Sequence, residues 1–308
     1  MKKLFAVLLT LVMFMSFAVT TSAEDAAPEG FLLAAPSGAP ALAVATLAAE
    51  NPEGFRFVAA DAIAAEFAGE TADFVIAPIN AGARLYKAGK SDYKLTAAVS
   101  WGNLYFASQK EGFQAEDMNG AKLVLFGENT INASVALYAL ESNGIVPASV
   151  EYLAGAANTQ ALLLSDGEAI VLTAEPALTA AMMKNERISG VAVNELFEKA
   201  SGCSGFAQAG LFVRAETLEN SEEAVKDYLE AIKEAADKCT DDPDAVAEAA
   251  VALEILPNVK VAKSALPNCA IRFVYAAEAR EQIEQTANID LSQFGGELPA
   301  DDFYYEAN

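Results

Sequence analysis

Histidine does not occur in this chain of 308 residues. Its absence excludes catalytic pairs of histidine with serine or cysteine, and it removes the commonest metal ligand. Cysteine is scarce: only Cys203, Cys239 and Cys269 occur, and their spacing fits no CxxC metal or redox motif. One disulfide and three free thiols are both compatible with that spacing. We therefore expect no metal ion, no cofactor and no catalytic residue.

Basic residues are also few. The chain has 20 Lys and Arg residues against 43 Asp and Glu residues, which gives a formal net charge of −23. An electrostatic field of this sign repels polyanions such as nucleic acids and anionic lipid surfaces. We therefore expect no nucleic-acid partner.

Long apolar runs are confined to the start of the chain. Two lysines precede the apolar stretch 4–19, and small residues follow it up to Ala23. This order is typical of a signal peptide, here residues 1–23, and the apolar stretch is shorter than the roughly 20 residues that span a bilayer. No lipobox cysteine lies near the expected cleavage site. We expect export to the periplasm or to the extracellular face of the membrane.

From Gly30 onward, short apolar runs alternate with helix-like stretches. This alternation predicts βα units that build a mainly parallel sheet, and hence an α/β fold. The first predicted strands are Gly30–Ala34, Phe55–Val58, Ala72–Ile76 and Leu95–Val99, and the helices between them are 40–50, 61–67 and 81–90.

The βα pattern starts again after Trp101, with an extended segment at 103–108 and a strand at 122–126. A similar extended segment at 205–214 predicts a second crossing between lobes. We therefore predict two lobes with a cleft between them, the first from residues 24–103 and 214–308 and the second from residues 104–213. The aromatic tail 294–305 is expected to pack on the first lobe.

Several segments resemble a known family. They are Ala72–Asn80 (ADFVIAPIN), Asp92–Leu95 (DYKL), Trp101–Tyr105 (WGNLY), Asp117–Lys122 (DMNGAK) and Ala174–Pro176 (AEP). In order and separation they are similar to substrate-binding proteins of the nitrate, sulfonate, taurine and thiamine-precursor group, the NMT1/THI5-like proteins. The resemblance implies a periplasmic-binding-protein fold of the second topological type. It also implies a small-molecule solute, and an ABC permease with its ATPase as partners of a monomer.

The first lobe offers two candidate contacts for a solute. Ser37, Gly38 and Ala39 follow the first predicted strand and open a helix, where free backbone N–H groups can hold an oxygen. Asn80 follows the third strand and carries both an amide donor and an amide acceptor. An ordinary helix cap is the alternative for each of them.

The first crossing offers Trp101 and Asn103. A planar indole at a cleft can stack on a ring or cover an apolar solute. A buried packing aromatic is the alternative.

The second lobe offers Asn129, Thr130 and Glu175. Asn129 and Thr130 follow a strand and precede a helix, so they can face the solute or cap that helix. Glu175 follows a strand and precedes Pro176, and its carboxylate would favour an amine or an aminopyrimidine over an anion. A favourable charge at a helix N-terminus is the alternative for Glu175.

The leading functional hypothesis is an extracytoplasmic solute-binding protein that delivers a small molecule to an ABC importer and is not an enzyme. The solute is expected to be a pyrimidine or amine of thiamine-precursor type, or a sulfonate. Two alternatives stay open: a lyase or dehydratase on the same fold with Glu175 or Asp61 as base, and a solute-sensing module.

Overall fold

A six-stranded sheet organises the first lobe in the computed structural model, which describes residues 30–306. The strand order is β11-β4-β10-β3-β1-β2, with β10 antiparallel to both of its neighbours. The bounds are β1 Leu33–Pro36, β2 Phe55–Val58, β3 Phe74–Pro78, β4 Lys94–Ser100, β10 Ala209–Val213 and β11 Ile271–Tyr275.

A five-stranded sheet organises the second lobe, in the order β7-β6-β8-β5-β9. Strands β6, β7 and β8 are parallel, and β5 is antiparallel to both β8 and β9. The bounds are β5 Leu104–Ser108, β6 Lys122–Phe126, β7 Ser149–Leu153, β8 Ile170–Ala174 and β9 Ser189–Ala192.

Helices cover both faces of each sheet, which explains why the central strands are continuous apolar runs. In β3, Val75 packs toward α2, α3 and α11, whereas Phe74 and Ile76 pack toward α1, α8, α9 and α10. In the second sheet, α4 and α7 lie on one face and α5 and α6 on the other. The helices are α1 Ala45–Glu50, α2 Ile63–Gly69, α3 Ile79–Lys87, α4 Ile131–Ser142, α5 Ala156–Ser165, α6 Ala177–Met182, α7 Val193–Ser201, α8 Ala215–Asp241, α9 Pro243–Ala252, α10 Val259–Ala265 and α11 Ala276–Ile289.

Two short segments connect the lobes. The first crossing, residues 101–103, runs from β4 to β5, and the second crossing, residues 202–208, runs from α7 to β10. The predicted boundary at residue 213 is wrong, because β10 pairs with β3 and β4 in the sheet of the first lobe. The predicted extended segment 205–214 is thus half crossing and half central strand.

The C-terminal tail packs on the first lobe, as predicted. Tyr304 bridges to Leu95 of β4, and the Tyr305 N–H donates to the Leu95 carbonyl at 2.8 Å. Lys94 adds a hydrogen bond from Nζ to the Asp302 carbonyl at 2.9 Å. The tail therefore adds a backbone contact at the start of β4, a strand that also pairs with β10 and β11.

Some predicted elements differ in detail. The predicted helix 40–50 is a 3₁₀ helix, Ala39–Val44, followed by α1, and the predicted strand 30–34 begins three residues later at Leu33. Strands β9 and β11 and helices α7 and α10 were not predicted. The expected signal peptide lies outside the described residues. Within residues 30–306, no helix has the length and apolar character needed to cross a membrane.

Candidate functional site

The strand directions bring one edge of each sheet toward the other. In the first sheet, β1, β2, β3 and β4 end at the same edge, and β4 leads directly into the first crossing. In the second sheet, β6, β7 and β8 end at the edge where β5 begins. The cleft therefore lies between the carboxyl ends of parallel strands, the usual ligand position in open α/β sheets.

The cleft has one wall from each lobe, and we call the wall from the first lobe the first wall and the wall from the second lobe the second wall. The first wall includes Ser37 and Gly38. Ser37 is exposed, and its N–H donates to the Val58 carbonyl at 2.8 Å, which fixes the turn after β1. Gly38 has φ 123°, a conformation that favours glycine, and it precedes the 3₁₀ helix without a side-chain cap. Ala39 is buried and belongs to the core beneath the turn. The exposed Ser37 hydroxyl and the backbone N–H of Gly38 are thus the polar groups that this turn offers.

Asn80 lies in the first turn of α3. The helix begins at Ile79 with Pro78 at the N-cap position, so the alternative of Asn80 as the cap is wrong. The Ile79 N–H donates to the Gln208 carbonyl at 3.1 Å, whereas Asn80 is half-buried. Within the described residues its side-chain amide has no hydrogen-bond partner. Asn80 is therefore a free donor and acceptor at this wall.

The second wall is the N-terminus of α4. Thr130 is its N-cap: the hydroxyl oxygen accepts from the Ala133 N–H at 3.5 Å and donates to the Gly127 carbonyl at 2.6 Å. Asn129 is exposed and has φ 56°. The capping alternative for Thr130 is correct, and its hydroxyl is already occupied.

Trp101 packs inside the crossing region. The side chain is only 2% exposed, and its indole N–H donates to the Arg272 carbonyl at 2.8 Å. The Arg272 guanidinium lies 4.4 Å from the ring centroid, a cation–π contact. The indole therefore has no free face for a solute in this conformation, which favours the packing alternative.

Asn103 and Glu175 pair with each other across the first crossing and β8. The Asn103 side chain donates to the Glu175 carbonyl at 2.8 Å, and the Glu175 N–H donates to the Asn103 carbonyl at 2.9 Å. The Glu175 carboxylate accepts from the Thr179 N–H at 3.1 Å and from the Thr179 hydroxyl at 2.8 Å. Both residues are buried, so their polar groups serve the fold.

Burial raises the pKa of the Glu175 carboxyl, and the hydrogen bonds from Thr179 and Asn268 oppose this shift. Asp61 and Glu128 are the exposed carboxylates on the segments that follow the strands. The strand-following segments 37–38, 59–62, 79–80, 127–130, 154–155 and 175–176 contain no Lys or Arg. Backbone N–H groups, side-chain amides and the Ser37 hydroxyl are therefore the donors that these segments can offer to a solute.

Gln208 and Asn132 form a hydrogen bond between the second crossing and the second lobe that the sequence did not predict. The Gln208 Nε2 donates to Asn132 Oδ1 at 3.2 Å, which links the second crossing to the first turn of α4. The Gln208 Oε1 accepts from the Asn103 N–H at 3.3 Å. One amide side chain thus joins both crossings and the second wall.

Other hydrogen bonds also join the lobes. The Ser134 hydroxyl donates to Asp290 Oδ2 at 2.7 Å, and the Tyr105 hydroxyl donates to the Asn268 carbonyl at 3.2 Å. Asn194 donates to the carbonyls of Trp101 and Gly102, both at 2.8 Å. These contacts hold the two lobes against each other beside the crossings. Within residues 30–306 there is no cluster of three or more acidic or cysteine side chains that could hold a metal ion.

Comparison with known proteins supports the resemblance seen in the sequence. The family model described as "NMT1/THI5 like" matches residues 103–246. Among curated proteins, none matches the chain.

Solved structures match nearly the whole chain. The crystal structure of an ABC transporter from Parabacteroides distasonis has a TM-score of 0.78 at 20% identity, and the match covers 90% of this chain and 99% of that one. The periplasmic aliphatic sulphonate binding protein of Escherichia coli has a TM-score of 0.67 at 15% identity, over 91% and 92%. A Candida albicans protein described as having the generic periplasmic binding protein fold has a TM-score of 0.54 at 11% identity, over 90% and 93%. The chain therefore has the periplasmic-binding-protein fold, and its residues 103–246 match the NMT1/THI5-like family.

Proposed function

We propose that this chain is an exported solute-binding protein that holds a small molecule between its lobes and delivers it to an ABC importer. The observation that carries the proposal is the juxtaposition of two helix N-termini across one cleft. Gln208 contacts the start of α3 through its carbonyl and the start of α4 through its side chain. The Ile79 N–H is taken by Gln208 and the Ala133 N–H by Thr130, so the other N–H groups in the first turns of the two helices are the ones that can hold an oxygen-bearing solute.

The solute class follows from the donors at the two walls. The sequence argument against anions rested on Glu175, whose carboxylate is occupied by Thr179. The first turn at Gly38, the amide of Asn80 and the start of α4 offer N–H donors without a formal positive charge. We propose a solute that presents oxygen acceptors, such as a sulfonate or a carbonyl-bearing ring. An amine-bearing pyrimidine, attracted by Asp61 and Glu128, is the alternative.

An enzyme on this fold is the second candidate function, and the geometry gives it little support. Glu175 is 3% exposed and hydrogen-bonded within its own helix turn, and Asp61 is exposed to solvent. Neither carboxylate has the partially shielded position of a general base. A solute-sensing module would use the same cleft and differ only in its partner, so reconstitution with the importer's permease and ATPase separates sensing from transport.

The experiment is native mass spectrometry of the freshly purified protein, followed by calorimetric titration with ethanesulfonate and with 4-aminopyrimidine. We expect a retained small molecule, and we expect Asn80→Ala to weaken ethanesulfonate binding tenfold or more. A hydrogen bond to a charged group contributes about 1.5 to 3 kcal/mol.

The matched control for Asn80 is Asn288→Ala, on an exposed position of α11. This control should leave the affinity unchanged. If the wild-type protein retains no small molecule and binds neither compound, the proposed function is wrong. Tight binding of 4-aminopyrimidine alone would show that the solute is an amine-bearing pyrimidine rather than an oxygen acceptor, and the binding role would stand. Conversion of a retained molecule to a product would favour an enzyme.

A further inference from the structure

Gln208 uses all four of its hydrogen-bonding groups at the junction of the lobes. Its backbone N–H donates to the Ser100 carbonyl at 3.0 Å, and its carbonyl accepts from the Ile79 N–H at 3.1 Å. Its side chain bonds to the Asn103 N–H and to Asn132 Oδ1. The backbone of Gln208 is therefore held by β4 and by α3, and its side chain joins the first crossing to α4.

The orientation of the two side-chain amides follows from one unambiguous donor. A backbone N–H can only donate, so the Asn103 N–H requires the Gln208 carbonyl oxygen to face it. The Gln208 Nε2 must then face Asn132, and an N–H donor there requires the Asn132 carbonyl oxygen. This leaves the Asn132 Nδ2, which has no hydrogen-bond partner within residues 30–306.

We propose that Gln208 is a positioning residue that fixes the polarity of the Asn132 side chain, so that Asn132 presents its NH₂ group to the solute. Asn132 is half-buried in the first turn of α4, where the backbone N–H groups are also donors. This inference rests on the proposed function and assigns to Asn132 the selection of a solute oxygen over a solute N–H. Gln208 in the second crossing thus determines whether Asn132 in the second wall donates to the solute or accepts from it.

The hydrogen bonds that run from the Asn103 N–H through the Gln208 side chain to Asn132 form an amide relay. The isosteric variant Gln208→Glu tests this relay. A carboxylate can still accept from the Asn103 N–H, but its second oxygen can only accept from Asn132. The Asn132 amide must then turn to donate its NH₂ to position 208, which leaves its carbonyl oxygen for the solute. We expect at least a tenfold loss of ethanesulfonate affinity and a gain for 4-aminopyrimidine, so the ratio of the two dissociation constants moves against the sulfonate.

Two further variants isolate the effect. Gln282→Glu on α11 adds the same charge at a half-buried position and should leave the ratio unchanged. Asn132→Asp keeps the acceptor for Gln208 but removes the NH₂ group, so it should weaken ethanesulfonate binding as much as Gln208→Glu does.

A readout without a solute keeps the relay testable on its own. In the side-chain amide NMR spectrum, the Asn132 NH₂ protons of the wild type should exchange rapidly with water, and those of Gln208→Glu should be protected and shifted downfield. Unchanged Asn132 resonances in that variant would overturn the relay. Solute binding by the wild type with an unchanged ratio in Gln208→Glu would overturn the specificity role, whereas failure of the proposed function appears as no binding by the wild type at all.

Discussion

The crossing region and the cleft walls contain polar and aromatic residues of similar types, yet they use them in opposite ways. At the crossings, Trp101, Asn103 and Glu175 are buried, and the indole N–H, the Asn103 NH₂ group and the Glu175 carboxylate each have an internal hydrogen-bond partner. At the walls, Ser37 and Asn80 remain accessible. The crossing thus fixes the relative position of the lobes, whereas the walls keep polar groups that are accessible and unpaired.

This difference follows from how close the two crossings lie. A Cβ on Gly102 would come within 2.5 Å of Asn194 Oδ1, and a Cβ on Gly205 within 2.6 Å of the Trp101 carbonyl. Segments this close exclude water, and the polar groups there pair mostly with each other, although Asn194 Oδ1 is buried without a hydrogen-bond partner. Substitutions at the crossing should therefore change stability, and substitutions at the walls should change affinity.

The largest expected loss of stability, measured as the free energy of unfolding, is that of Trp101→Ala. Removal of a fully buried aromatic side chain costs about 3 to 5 kcal/mol, and here it also leaves the Arg272 carbonyl without its donor. A role of Trp101 in stacking on the solute, as its place in the sequence suggested, would instead weaken binding and leave stability unchanged. Urea unfolding and calorimetric titration of the same variant distinguish the two results.

A smaller loss is expected for Gly205→Ala. Gly205 has φ 100° and faces the Trp101 carbonyl, so an added methyl group brings both backbone strain and a steric clash. Strained backbone of this kind costs about 1 to 3 kcal/mol. Gly89→Ala is the matched control, because Gly89 has φ 62° but no neighbour within 4 Å of the place that an added methyl group would occupy. Equal losses in the two variants would contradict close packing of the crossings.

The smallest change in the free energy of unfolding is expected for Glu175→Gln, because hydrogen bonds from Thr179 partly offset the cost of burying the Glu175 carboxylate. The pKa of this carboxyl is raised in the folded state, so over the range between its unfolded and folded pKa values the folded protein binds more protons. Stability then falls as the pH rises through that range. The variant should therefore be more stable than the wild type at neutral pH and similar to it in acid, as measured by urea unfolding at several pH values.

Much of the fold could be predicted from the sequence, because the apolar runs and their spacing determine the βα units. Strand β11, Ile-Arg-Phe-Val-Tyr, is rich in the β-branched and aromatic residues that predict a strand, and this signal was missed. Strand β9, Ser-Gly-Val-Ala, has no such pattern and is formed by pairing with β5. The boundary at residue 213 failed because an apolar run shows that a strand is buried and does not show in which sheet.

The site was predictable only in part. The strand ends predict Ser37, Asn80 and Thr130 at the cleft, because parallel strands align their carboxyl ends. Burial of Trp101 and Glu175 depends on Arg272 and Thr179, whose positions follow from packing rather than from local sequence. The role of Gln208 was beyond reach, since its side-chain partners lie 105 and 76 residues away along the chain.

Amide hydrogen exchange, measured before and after the retained solute is removed and added back, tests the central claim most directly. If the solute lies between the walls, protection should be regained at residues 37–39, 79–81 and 129–132, while the central strands β3 and β10 stay protected throughout. Protection confined to surfaces away from these three segments, or no change on adding the solute, would contradict binding between the lobes.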